Sequence, residues 1–277
     1  MKLLFIYDHQ YPEKWRDGLW AALNLLEKRG IELTKVNIQD YMHGKIKMPF
    51  PMDFDFVLGW GAFNSEVDRT IQSYADGHYS TKPKFGLCIA GNSFPPEGQD
   101  KYDVLFYETE WYLPQIQHHK NVVRAFGINS DIYKPIADSV LIWDYTTVGA
   151  FALWKRQHLL KNKAGYKLAI GEIQKGNMSE SIKIMGSLLL EGVAVSDMVE
   201  PEVLANIYNS SARVYIPAEI NGGGERAVLE ARACGRPVSV EQDNPKLIEL
   251  LHWNERSGVP NHHFYSEQLL LGIESCL

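Results

Sequence analysis

At 277 residues the chain can form one large domain or two of ordinary size, and its 45% apolar and 22% charged residues describe a soluble globular protein. No apolar run approaches the roughly 18 residues that would signal a membrane span. A formal net charge of −6 argues against a dedicated nucleic-acid binder, although a local basic patch remains compatible with it.

The first element, residues 2–8 (KLLFIYD), is too short an apolar stretch before Asp8 for a signal peptide and reads as a buried strand. Residues 15–30 follow as a helix, with Trp15, Leu19, Ala22, Leu23 and Leu26 on one face and Gly30 as its stop. Strands are expected at 31–38, 54–60, 84–91, 103–109 and 121–127, with helical stretches at 64–76 and 110–119. The rhythm restarts with a strand at 143–151, a helix near 153–161, and strands at 166–172 and 182–189. A helix at 200–211 carries Pro201 in its first turn, where the missing N–H costs nothing. A strand at 212–219, a helix at 225–235 closed by Gly235, a strand at 237–241 and helices at 244–251 and 266–276 complete the series. Alternating strands and helices with continuously apolar strands imply parallel sheets covered on both faces. Two such series predict two doubly wound α/β domains, joined near 128–139. Cys88, Cys234 and Cys276 are scattered and form no C-x-x-C, so neither a disulfide framework nor a zinc site is expected. A reducing cytoplasm is the simplest setting. The pairs His118–His119 and His262–His263 are neighbours that a helix points about 100° apart, which is no ligand face.

The stretch AEINGGGERAVLEARACGRPV, residues 218–238, runs three glycines into a short helix. In doubly wound folds, ligands sit beyond the C-terminal strand ends, where helix N-termini point. The exposed N–H groups and positive dipole end of a helix suit phosphate, and glycines let an anion approach the backbone. The pattern is neither G-x-G-x-x-G nor a P-loop, so no dinucleotide or NTP fingerprint is present. A glycine turn needed only for tight packing is the competing reading.

ERAVLEARACGRPV resembles the signature E-G-x-G-x-x-x-x-E-A-M-A-C-G-x-P-V of retaining GT-B glycosyltransferases with a glycogen-synthase-like C-terminal domain (glycosyltransferase group 1, family 4-like). Three further segments match that family in order: AFGINSDIYKP (125–135), TTVGAFALWKRQHLL (146–160) and NIYNSSARVYIPAE (206–219). The N-terminal half matches only in its strand–helix rhythm. The resemblance implies two Rossmann-like domains facing a cleft: an acceptor domain at 1–130, a nucleotide-sugar domain at 131–264, and a C-terminal helix at 265–277 able to return to the first domain. It also implies transfer of a sugar from a nucleotide diphosphate sugar, UDP-sugar favoured, to an acceptor hydroxyl with retention, and without a metal or other cofactor.

By the same resemblance, Glu230 matches the glutamate that grips the donor ribose, and a carboxylate can accept from two vicinal hydroxyls. The family's first glutamate falls on Gly222 here, so Glu219 or Glu225 takes its place: Glu219 as the favoured sugar contact, Glu225 as a cap or second contact. Lys155 matches the diphosphate lysine, with Arg156 beside it, while the family's arginine after Gly149 is Ala150. Arg226 or Arg156 would compensate. Gly149 would end a strand at the site, and Gly222, Gly223 and Gly224 would offer backbone N–H groups. On the acceptor side, Asp8, His9, Trp60, Gly61 and Asn92 fall at strand ends. A polysaccharide, a lipid, a small molecule and a hydroxymethylated pyrimidine in phage DNA all stay open as acceptors, although the near-balanced charge of the N-terminal half does not support DNA. A non-catalytic nucleotide or sugar binder and a sugar-nucleotide epimerase of the same architecture are the rival readings. Nothing in the sequence specifies an oligomeric state.

Overall fold

The computed structural model describes residues 1–9, 16–77 and 82–277. They divide into two compact units: residues 1–126 with 261–277, and residues 127–260.

The first unit is built on a six-stranded, all-parallel sheet. Its strands are β1 (Lys2–Tyr7), β2 (Glu32–Asn37), β3 (Phe56–Gly61), β4 (Lys84–Ile89), β5 (Val104–Tyr107) and β6 (Val122–Arg124), in the order β2-β1-β3-β4-β5-β6. β1 is buried along Leu3–Tyr7, as a central parallel strand covered on both faces must be. On one face, Leu4, Ile6 and Val57 pack with Val67 and Ile71 of α3 (Glu66–Asp76). On the other, α9 (His262–Glu274) lies so close to β5 that a Cβ on Gly272 would meet the Phe106 ring at 2.4 Å. α9 also packs on α1 (Gly18–Lys28). Asp17 starts α1 by accepting from the Trp20 N–H at 3.0 Å. The predicted start at Trp15 lies outside the described residues.

The second unit carries β7 (Trp143–Val148), β8 (Lys167–Ile170), β9 (Ala194–Ser196), β10 (Ser211–Ile216) and β11 (Val238–Val240), all parallel, in the order β11-β10-β7-β8-β9. Its helices are α5 (Met178–Leu190), α6 (Pro201–Asn209), α7 (Glu225–Ala233) and α8 (Pro245–His252). Chain order reverses between β1 and β3 in the first sheet and between β7 and β10 in the second. Those are the switch points at which doubly wound sheets open a crevice for ligand.

The two doubly wound α/β units match the expected fold class, and several elements differ from expectation. Residues 182–189 are not a strand; they lie in α5. The run is interrupted at Lys183, Gly186 and Ser187 and follows a helical period: Ser181, Ile184 and Leu188 face inward while Ile182, Leu189 and Leu190 are exposed. β8 and the short strand β9, which the apolar pattern did not announce, are parallel neighbours, so a crossover helix has to join them. The expected helix at 153–161 is two 3-10 turns, Leu153–Lys155 and Gln157–Asn162, broken at Arg156 with φ of +50°. Long-range bonds of Arg156 and Gln157 override local helix propensity there. The strand predicted at 31–38 stops at Asn37, whose side chain accepts from the Gln39 N–H and starts α2 (Ile38–Met42). The helix expected at 110–119 shrinks to a 3-10 turn and α4 (Leu113–Ile116).

Candidate functional site

The switch point of the second sheet brings three backbone loops into contact. β7 ends at Val148, and Gly149 follows with φ of +146°. The Gly149 carbonyl accepts from the buried side-chain amide of Gln157 at 2.7 Å. A Cβ on Gly171, just beyond β8, would lie 1.9 Å from that carbonyl. In the loop after β7, the Trp154 carbonyl accepts from the Glu219 N–H at 3.0 Å. A Cβ on Gly222 would lie 2.4 Å from the same oxygen, so only glycine lets the loop after β10 close against the loop after β7. Gly223 and Gly224 then turn the chain through positive φ, +66° and +110°. Gly224 is the N-cap of α7 and has no side chain to bond the first N–H groups of the helix. Those groups and the dipole end therefore point, uncapped, at the strand ends.

Lys155 occupies this place. Its stem passes 3.1 Å from where a Gly149 Cβ would sit, and its ammonium 3.3 Å from the corresponding point on Gly223. Burial is the main influence on the lysine and holds its pKa below the ordinary value. Glu225 and Glu172 pull it back up, while Arg226 and Lys246 push it further down. Glu225, the first residue of α7, is 7% exposed and pairs at 2.6 Å with Lys246, which is 1% exposed. Lys246 enters from the first turn of α8. Asn244 caps that helix by accepting from the Leu247 N–H, and its side-chain amide donates to the Ala218 carbonyl at 2.9 Å. That bond ties α8 to the loop after β10. The result is Lys155, Lys246, Arg226 and a helix N-terminus set against Glu225 and Glu172 around a glycine-lined surface: an arrangement with excess positive charge, suited to a phosphate-bearing ligand.

No family model and no curated relative matches the sequence. Solved structures do match. AviGT4, a glycosyltransferase involved in avilamycin A biosynthesis, superposes with a TM-score of 0.65 at 11% identity, covering 100% of this chain and 98% of its own. HepE of Anabaena, solved with UDP and glucose, does so with a TM-score of 0.62 at 12% identity, covering 100% and 89%. The chain has the GT-B glycosyltransferase fold. A putative UDP-N-acetylglucosamine 2-epimerase from Listeria monocytogenes is more distant, with a TM-score of 0.52 at 14% identity, covering 99% and 88%.

Within this GT-B chain the sequence-predicted residues of the second unit gather at one sheet end. Gly149, Lys155, Gly222, Gly223, Gly224 and Glu225 surround the site just described, with the exposed Arg226 beside them in the first turn of α7. Glu219 is partly exposed and lies 3.7 Å from the Arg156 guanidinium. Arg156 in turn bonds Asp243 at 2.7 Å, so it links the loops after β7, β10 and β11. Glu230 lies a turn and a half into α7, is 7% exposed, and accepts from the Tyr208 hydroxyl at 3.2 Å. Burial, followed by the Glu230 charge, drives the Tyr208 pKa well above its ordinary value, so Tyr208 stays a donor. Cys234 is fully buried and burial pushes its thiol up to about 12, which removes it as a nucleophile.

The first-unit candidates lie at the C-terminal ends of β1, β3 and β4. Asp8 accepts from the Gln39 side-chain amide at 3.0 Å, and Asn37 both accepts from the His9 N–H and donates to its carbonyl. Trp60 stands opposite Tyr7 in register, and Gly61 accepts from the Ala90 N–H. Asn92 follows Gly91, whose φ is +122°. Gln10 and Tyr11, which follow His9, lie outside the described residues. Sequence reasoning missed Lys246, Asn244 and Gln157. The N-P-K start of α8 signals a helix cap, but nothing local signals that its lysine is buried.

Proposed function

We propose that the chain is a glycosyltransferase that moves a sugar from a nucleotide diphosphate sugar to an acceptor hydroxyl with retention of configuration. The observation that carries the reading is the Lys155 ammonium, seated between Gly149 and Gly223 at the uncapped start of α7. The transition state is oxocarbenium-like, and the departing diphosphate gains charge as the glycosidic bond breaks. Fixed cations and backbone N–H groups aimed at that charge stabilise the transition state more than the ground state. Lys155 and the α7 N-terminus supply them, with Lys246 behind and Arg226 beside, so the reading needs no metal ion. Glu230 binds the ribose hydroxyls. Glu219, the accessible carboxylate of the loop, contacts the donor sugar, and Glu225 serves inside the site through Lys246. Retention follows from attack on the face the diphosphate leaves, with no enzyme nucleophile. HepE has been solved with UDP and with UDP-glucose, which favours a uridine donor. Asp8, His9, Trp60, Gly61 and Asn92 would meet the acceptor.

A second reading, epimerisation of the donor sugar without an acceptor, is favoured by the Listeria neighbour alone. The first experiment is a thermal-shift panel of UDP, GDP, ADP, CMP and dTDP on wild type and Glu230→Ala. A ligand at 100 times its Kd stabilises by about 2.7 kcal/mol. One nucleotide should raise the melting point of the wild type and not of the variant. NMR of the matching sugar nucleotide then separates the outcomes. Nucleotide release with transfer supports the reading, and an isomerised donor without release supports the epimerase. Binding without turnover leaves a non-catalytic binder, and no shift with any nucleotide overturns the proposal.

A further inference from the structure

The loop after β7 is pinned at alternate N–H groups. The Gly149 N–H donates to the Ile170 carbonyl and the Phe151 N–H to the Glu172 carbonyl, both at 3.0 Å. The Phe151 carbonyl in turn accepts from the fully buried Ser181 hydroxyl at 2.7 Å. Between these anchors, the N–H of the partly exposed Ala150 has no hydrogen-bond partner among the described residues. A methyl side chain cannot bond a ligand, so only the backbone is available at this position. The Gly149 carbonyl, the other half of the same peptide, is held by the Gln157 side-chain amide and lies against Gly171. C=O and N–H point in opposite directions across a trans peptide, so the Ala150 N–H points away from Gln157 and Gly171. The Lys155 stem packs on the same Gly149.

Gln157 is 1% exposed, and its Oε1 is buried without a partner. An unpaired buried acceptor costs stability that an apolar side chain of the same length would not. What the amide supplies in return is its bond to Gly149. We infer that Gln157 is a positioning residue: by holding the Gly149 carbonyl it fixes the Ala150 N–H as a backbone donor to the diphosphate beside Lys155. The identity of the anion, a nucleoside diphosphate, rests on the glycosyltransferase reading. A neutral N–H fixed before the ligand arrives needs no reorganisation as charge grows on the departing phosphate. It also needs no proton from solution, whereas burial holds Lys155 below its ordinary pKa.

The test is NMR of the full chain labelled with nitrogen-15 alanine and titrated with UDP, inorganic pyrophosphate and uridine. Pyrophosphate keeps the test valid whatever the base of the donor. The Ala150 amide is the signal missing from Ala150→Ser. In wild type its proton should move downfield on saturation with UDP and with pyrophosphate, and stay in place with uridine. Gln157→Met should abolish that shift and weaken both phosphates about 10- to 100-fold, the usual worth of a hydrogen bond to a charged group. The signals of Ala218, in the loop after β10, and Ala227, in α7, should not move in the ligand-free variant. A variant that displaces them, or that binds both phosphates as tightly as wild type, overturns the inference, because Gln157 then serves the fold alone. Wild-type binding that leaves the Ala150 amide unmoved also overturns it, whether or not the variant folds, and spares the glycosyltransferase reading. Failure of wild type to bind either phosphate sinks that reading and the inference together.

Discussion

Removing Glu225 should harm the protein more than removing Lys246, although the two form one ion pair. At 2.6 Å and an effective dielectric of about 20, their direct attraction is about 6 kcal/mol. Desolvation of two nearly buried groups costs several kcal/mol each, so the net worth of the pair is small. Breaking it is another matter. A buried charge stripped of its partner costs about 3–5 kcal/mol. The two deletions are not equivalent here, because Lys155 feels both partners: Glu225 favours its charge and Lys246 opposes it. Lys246→Met leaves Glu225 with Lys155 still nearby and should fall at the lower end of that range. Glu225→Gln leaves the buried Lys246 ammonium without its carboxylate and removes the carboxylate that most favours the Lys155 charge, and should fall at the upper end. A Glu225→Leu/Lys246→Met double variant should cost less than Glu225→Gln. Urea dependence of hydrogen exchange at the α7 and α8 amides reads this locally, whatever the first unit does. Equal costs, the reverse order, or losses below about 1 kcal/mol for both single variants would refute the reasoning.

Three further outcomes follow from the same region. Lys155 has a folded pKa below its ordinary 10.5, so between the two values the unfolded chain binds more protons and stability rises with pH. A bound diphosphate restores the lysine's charge, so nucleotide binding in that window should take up a proton and weaken as pH rises. Calorimetry in buffers of different ionisation enthalpy should detect the proton, and Lys155→Met should abolish it; a pH-independent affinity across the window would count against this. Gly171→Ala places a Cβ 1.9 Å from the Gly149 carbonyl, and should cost about 1–3 kcal/mol or more. Gly186→Ala, in α5 with open space around it, should instead gain about 0.5–1 kcal/mol, and urea midpoints compare the two. Glu230→Ala strands the Tyr208 hydroxyl and should cost about 1–3 kcal/mol. Glu230→Gln keeps that partner and should spare stability while weakening nucleotide binding, as thermal shift with and without UDP would show.

Much of the fold was legible because its signals are local. The glycine stop of α1, proline in the first turn of α6 and the glycines before α7 punctuate the chain, and the apolar strands alternate with helices. α5 reads as a strand because Met178, Ile182 and Leu189 lie on its outward face among Glu180, Lys183 and Ser187 and blur the helical period. Arg156 was misread because its conformation depends on Asp243 and Glu219, 87 and 63 positions away. The same division holds in the site. Gly222, Gly223, Gly224 and Glu225 are contiguous and could be read together. Lys246 is 21 residues from the carboxylate it neutralises and becomes recognisable only once α8 packs beside α7.

The return of α9 to the first unit makes the second unit an insertion. Its two ends meet directly, with the Ile128 N–H donating to the Pro260 carbonyl at 3.1 Å. During synthesis every residue of the insertion therefore leaves the ribosome before its host is complete. Until α9 arrives, the surfaces of α1 and β5 that cover Tyr265, Leu269 and Ile273 stand open. The unit that begins first is finished last, and a nascent chain halted anywhere between 127 and 260 carries an unsealed core. Chaperone dependence should thus track the first unit, while residues 127–260, joined end to end by their own hydrogen bond, are the natural piece to excise and fold alone.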